Sequence, residues 1–135
     1  MKYISNTLNV STNKEEEMIN VSSEVKQLLK ESKITTGKIT LFVPHTTAAI
    51  TINENGDPDV KEDVLYGLSK AFPKDEKFLH YEGNSHAHIK SSLIGVEQTI
   101  LVENKSMILG TWQGIYFMEF DGPRTRKLIV QISGI

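Results

Sequence analysis

The segment Lys38-Ile39-Thr40-Leu41-Phe42-Val43-Pro44-His45-Thr46-Thr47-Ala48-Ala49-Ile50-Thr51-Ile52-Asn53 decides the architecture. Ile39, Leu41 and Val43 fall at every second position and share one face of a strand. Pro44 has no N–H to contribute to a ladder and interrupts it. Ala48 to Asn53 then resumes an extended apolar run. Asp57-Pro58-Asp59 starts a helix, with a carboxylate at the N-cap and proline where its missing N–H costs nothing. Val60, Val64, Leu68 and Phe72 continue that helix at i+4 steps, and Pro73 closes it.

Upstream, Ile4, Leu8 and Val10 mark a first strand, Ser11-Thr12-Asn13 a turn, and Glu17, Ile19 and Val21 a second strand. Val25, Leu28 and Leu29 then stand at i, i+3 and i+4, the spacing of a helix face, with Ser22 or Ser23 as its cap. That helix should end before Gly37. Downstream, Lys74 to Asn84 is polar and loop-like, Thr99 to Val102 is a short strand, and Lys105-Ser106 is a turn. Thr111 to Phe120 and Lys127 to Ile132 are two long strands, joined by Asp121-Gly122-Pro123-Arg124 as a hairpin. The expectation is one α+β domain over residues 1–135, a largely antiparallel, sandwich-like sheet with two main helices.

The 135 residues suffice for one core, and the apolar and charged fractions of 39% and 24% are those of a globular chain. A net charge of -2 points away from nucleic acid and from anionic membrane surfaces. The one local basic excess, Arg124, Arg126 and Lys127, fits a solvated loop or a small anion site. With no cysteine there is no disulfide, thiolate metal site or cysteine nucleophile. The first residues turn polar too early for a signal peptide and no apolar run has the length of a membrane span, so cytoplasm is the expected location.

Three of the four histidines, His80, His86 and His88, fall within nine positions, with Glu82 and Lys90 among them. Imidazoles gather where a divalent metal or a proton shuttle is needed, and also by chance in polar loops. His86 and His88 share a face in a strand and diverge in a helix; no known zinc spacing is matched. His45 precedes two hydroxyls, and Asn53-Glu54-Asn55-Gly56-Asp57 forms a polar cluster at the far end of the next strand. Asp57 is either an N-cap or part of an anion seat at a helix start. In Gly110-Thr111-Trp112-Gln113-Gly114-Ile115, the glycines suggest a bulge or close approach and Trp112 a core or subunit-interface anchor. Gln113 is able to reach a polar site, and Glu119 sits oddly in a strand expected to be buried.

His45-Thr46-Thr47-Ala48-Ala49-Ile50-Thr51-Ile52-Asn53-Glu54, Asp57-Pro58, His88-Ile89-Lys90-Ser91-Ser92 with Gly95, and Gly110-Thr111-Trp112-Gln113-Gly114-Ile115 together resemble the signatures of the YjbQ family, in order and over essentially the whole chain. The resemblance implies a homotrimer of α+β sandwiches and a secondary thiamine-phosphate synthase, which condenses a hydroxymethylpyrimidine pyrophosphate with a thiazole phosphate and releases pyrophosphate. It carries polar roles onto His45, Asn53, Glu54, Asp57, His80, His88, Lys90 and Gln113. Of these, His45, His80 and His88 become candidate ligands of a divalent metal (zinc or magnesium), and Glu54, Asp57, Lys90 and Gln113 candidate catalytic groups. Arg124 adds positive charge for a phosphate. His86 departs from the family pattern, standing where many relatives carry an acidic residue. A trimer would let His45 of one subunit meet the second segment of another.

Loss of pyrophosphate demands charge neutralisation, by a metal or by Lys and Arg. The chain has neither paired aspartates for a diphosphate–magnesium site nor a phosphate loop of recognised spacing. The same residues allow a metal-dependent hydrolase or phosphatase, and equally a trimeric metal- or metabolite-binding protein without catalysis. The expected partners are a small phosphorylated metabolite and further copies of the chain, with no nucleic acid and no membrane.

Overall fold

The computed structural model describes residues 1–135. In chain order the elements are β1 (Lys2–Ser11), β2 (Glu17–Asn20), α1 (Ser22–Ser32), β3 (Gly37–Phe42), β4 (Ala48–Glu54), α2 (Pro58–Ala71), α3 (Ser85–Ile94), β5 (Glu97–Glu103), β6 (Ser106–Met107), β7 (Gln113–Glu119) and β8 (Thr125–Gly134). A five-stranded sheet has the order β1-β8-β3-β5-β6, and a three-stranded sheet the order β2-β7-β4. Every pairing is antiparallel.

The alternation read from the sequence builds the main core. Ile39, Leu41, Leu128, Val130 and Ile132 of the large sheet face Ile50, Ile115 and Phe117 of the small one, and α1 closes one end with Val25 and Leu29. The other face of the small sheet carries Ala49, Met118 and Phe120, and there Val64, Leu65 and Leu68 of α2 and Ala87 of α3 cover it. The result is three layers. β7 lies in the middle and is buried on both faces, which is why Ile115 to Met118 is an unbroken apolar run and not an alternating one.

Three expectations are corrected. The strands flanking Asp121–Arg124 are not a hairpin: β7 lies in the small sheet and β8 in the large one, so the chain crosses between layers there. Gly122 is required at that crossing, because a β-carbon would stand 2.3 Å from the Lys14 carbonyl oxygen. There are three helices, not two, since His86 and His88 lie in α3. Its buried positions are His86, Ala87, Lys90 and Ser91, a helical face with only one apolar residue, so hydrophobic periodicity is silent there. Finally, neither Ser22 nor Ser23 caps α1. The Ser22 hydroxyl instead accepts the Ile115 N–H at 2.8 Å. Asp57 does cap α2, accepting the Asp59 N–H at 2.9 Å.

Candidate functional site

Two of the places where the chain passes from one sheet to the other are Pro44–Thr47 between β3 and β4 and Phe120–Arg124 between β7 and β8. The two crossings lie side by side, joined by a hydrogen bond from the Phe120 N–H to the Thr47 carbonyl at 3.1 Å. Over them sits a cavity of about 440 Å³ with no hydrophobic lining residue. One crossing and its neighbours supply His45, Thr46 and Thr47, the other Asp121, Arg124 and Arg126. The loop before α3 adds His80, Glu82 and Asn84, and α3 adds His88.

Both arginines are gripped from one side. The Arg126 guanidinium, with the residue 2% exposed, donates from Nε and Nη2 to Glu119 and from Nη2 to the Thr47 hydroxyl at 2.8 Å. Arg124 donates from Nε to the Asp121 carbonyl at 2.9 Å and from Nη2 to the Asp121 carboxylate at 3.0 Å. In each case Nη1 makes no hydrogen bond within the protein, and both residues line the cavity. Glu119 is 0% exposed. Burial works to raise its pKa, but hydrogen bonds from Arg126, from the Thr12 hydroxyl and from the Asp121 N–H outweigh it and hold the carboxyl below the ordinary value.

His45 is oriented by the backbone: the Lys127 N–H donates to its Nε2 at 2.9 Å. That nitrogen therefore carries no proton, and in the neutral ring Nδ1–H is the donor. Desolvation, followed by the Arg126 charge, pushes the His45 pKa below 6.5 and favours this neutral form. The His80 and His88 rings meet edge to face with centroids 5.4 Å apart, and His80 Nε2 lies 3.9 Å from the Glu82 carboxylate.

The cavity thus unites four of the nine residues selected from sequence, His45, His80, His88 and Arg124. Lys90 belongs to the opposite face of α3, 1% exposed, where it donates to Glu16 and to Ser69. Glu54, Asp57 and Gln113 lie at the other end of the small sheet: Glu54 pairs with Gln113 while Ala48 pairs with Glu119. Six residues of strand separate those ends, about 20 Å. There Glu54 accepts the Gly56 N–H at 2.8 Å and Gln113 accepts the Gly110 N–H at 2.8 Å. His86 is buried beside Glu15, with Nε2 4.0 Å from its carboxylate. Burial, and then the Lys90 and Lys74 charges, lower its pKa. Trp112 is not a core residue; it is 65% exposed. Arg126, Thr47 and Glu119 were missed as site residues, although a carboxylate in a buried strand seven residues before an arginine was a signal for them.

The metal implied by the family resemblance does not fit the three histidines within one chain. His45 already uses the Nε2 lone pair on the Lys127 N–H, and nowhere do three His, Asp or Glu side chains gather closely enough to hold an ion.

Fold and cavity define an α+β sandwich with an arginine- and histidine-lined site at a double sheet crossing. The family model for UPF0047 YjbQ-like proteins matches residues 6–135, and the chain belongs to that family. It is similar to a UPF0047 protein of Methanocaldococcus jannaschii, 52% identical with 93% of this chain and 91% of that protein covered. It is similar also to YugU of Bacillus subtilis, 51% identical with 95% and 98% covered. A crystal structure of an uncharacterised YjbQ/UPF0047 protein from Clostridium acetobutylicum superposes with a TM-score of 0.93 at 52% identity, covering 95% of this chain and 99% of that one. A YjbQ-like protein of unknown function from Sulfolobus solfataricus gives 0.95 at 32% identity, with 99% of both chains covered. The family is one of uncharacterised function. No helix of this chain is long and apolar enough to cross a membrane.

Proposed function

We propose that the protein is an enzyme of small phosphorylated metabolites and holds the phosphoryl group between Arg124, Arg126 and His45. The observation that carries this reading is the pair of arginines, each immobilised through Nε and Nη2 with Nη1 unused, on a mostly polar cavity. Donors fixed before the ligand arrives stabilise developing oxyanion charge without reorganising, which is the main requirement of phosphoryl and pyrophosphate departure. His45 contributes a neutral Nδ1–H, and His80 and His88 bring two further imidazoles to the cavity as candidate proton-transfer groups.

Two reactions use that arrangement. In thiamine-phosphate synthesis a thiazole nitrogen attacks the pyrimidine methylene carbon. The C–N bond forms, the C–O bond breaks, and the arginines neutralise the departing pyrophosphate. In hydrolysis, water attacks phosphorus and passes a proton to one histidine, the ester P–O bond breaks, and a second histidine protonates the departing oxygen to give the alcohol. Parallel assays of thiamine-phosphate formation and of phosphate release from a panel of monoesters distinguish them. Either activity should fall at least about a hundredfold in Arg126→Gln and His88→Ala, the range of lost oxyanion or acid–base groups. An activity surviving both changes belongs elsewhere, and phosphate binding without turnover marks a binding protein.

The cavity works within a homotrimer in this reading. Exposed Leu79 (100%) and Trp112, at opposite rims, support contact between unlike patches. Charge supports it too, with Glu54, Asp57 and Asp59 on one rim and the arginines and histidines on the other. Repeated head to tail, such a contact closes a ring. Light scattering should give three times the 15.2 kDa chain mass. Inactive His88→Ala and Glu54→Ala proteins, refolded together, should regain part of the activity if the rims meet across subunits; a monomer, or a mixture without recovery, contradicts the shared site.

A further inference from the structure

Away from the histidines, α1 and the β5–β6 turn enclose a second cavity of about 450 Å³, within the usual size range of a small-molecule pocket. Lys26, Lys30, Lys33 and Lys105 line it over a floor of Leu29 and Ile34. Lys26 and Lys30 stand four residues apart on one face of α1, and Lys33 follows as its C-cap. Lys105 arrives from a separate element, fastened by its N–H to the Thr35 carbonyl at 3.0 Å.

No carboxylate lines this cavity, and none of the four lysines forms an ion pair. The neighbouring carboxylate of Glu31 is hydrogen-bonded by Gln27 at 3.0 Å. Lys33 and Lys105 both hold left-handed backbone, φ 60° and 65°, two of the three such non-glycine positions in the chain. L-residues other than glycine, asparagine and aspartate avoid that region. A lysine in the last turn answers to the helix dipole, but that reason covers neither Lys26, a full turn earlier, nor Lys105 on another element. A chain of net charge -2 has here concentrated four unneutralised ammonium groups around one hollow.

We propose that this groove binds a small organic polyphosphate, at a site separate from the His45 cavity and independent of its function. Four point charges without a counter-ion call for several negative charges on the ligand, and lysine suits phosphate oxygens without demanding a fixed geometry. Lys26 and Lys30 are about 6 Å apart along the helix axis and Lys33 lies just past its end, a row long enough for a chain of two or three phosphates. The lysine stems over Leu29 and Ile34 offer apolar contact to the organic part.

The test is isothermal titration of the full chain with sodium tripolyphosphate and with a nucleoside triphosphate. It compares wild type, Lys26→Gln/Lys30→Gln/Lys105→Gln and Arg124→Gln, the arginine of the His45 cavity that is not in a buried ion pair. All three lysines are exposed, so the lysine variant should melt like wild type. It should bind both probes about tenfold or more weakly, the combined loss of three surface charges. The arginine variant should keep one tight site. A tighter nucleotide than tripolyphosphate assigns the floor to the organic part. The proposal is overturned if wild type binds neither probe at millimolar concentration. It is also overturned if the arginine variant loses the binding and the lysine variant keeps it.

Discussion

Arg126 and Glu119 form an ion pair sealed from water, 2% and 0% exposed, beneath a cavity that the same arginine lines. The pair joins β7 to β8 across the sheet crossing, and Thr47 from the other crossing completes it. Structure and site therefore rest on the same contact.

Removing the carboxylate leaves a guanidinium buried without a partner. Glu119→Ala should lose about 3–5 kcal/mol of stability, the range measured when one member of a buried pair is deleted. Urea denaturation checks it. A loss below about 1 kcal/mol means that the pair is hydrated and the pocket floor is not rigid.

Acid should act through two groups in different windows. Folded His45 has a pKa below its unfolded 6.5, so between those two values the unfolded chain binds more protons and stability falls as pH falls. Folded Glu119 lies below 4.5; its contribution is whole above 4.5 and is lost as pH drops through the folded value. His86, also lowered from 6.5, adds to the first window. Urea midpoints against pH should decline from about 6.5 downward. His45→Gln should flatten part of that upper decline and leave the one below 4.5.

The ring state of His45 is observable directly. With Lys127 N–H on Nε2, the ring nitrogens should show the Nδ1–H tautomer at pH 7 in nitrogen-15 NMR. The Nε2–H tautomer would mean that the ring turns its other edge to the cavity.

Lys90 separates structure from chemistry. It is held by Glu16 and Ser69 between α3, α2 and the chain before β2. Lys90→Ala should destabilise by about 1–3 kcal/mol, the range for losing hydrogen bonds to a charged group, and leave phosphate affinity unchanged at low temperature. A selective loss of affinity in a folded variant would return Lys90 to the site.

Much of this arrangement was legible in the sequence where one periodicity dominated. The period-2 segments around Ile39 and Leu128 became strands, and Asp57-Pro58 started α2 as capping chemistry requires. Asp121–Arg124 was misread because turn residues between two strands do not say whether the chain returns to the same sheet or crosses to another. α3 was missed because its buried face is His86, Ala87, Lys90 and Ser91, and the partners of Lys90 and Ser91 (Glu16, Ser69 and the Ala48 carbonyl) lie far away in the sequence. The histidines and Arg124 stood out by chemistry alone. Arg126 did not, because its importance comes from Glu119 and Thr47, which only the double crossing brings to it.

The most direct measurement is titration of the metal-free protein, after exhaustive chelation, with inorganic phosphate or vanadate, following His45, His80 and His88 by NMR. The predicted result is saturable binding that shifts all three rings, survives chelation, and weakens about tenfold or more in Arg126→Gln or Arg124→Gln. Binding that vanishes on chelation, or is indifferent to both arginines, would contradict a cavity built to hold a phosphoryl group.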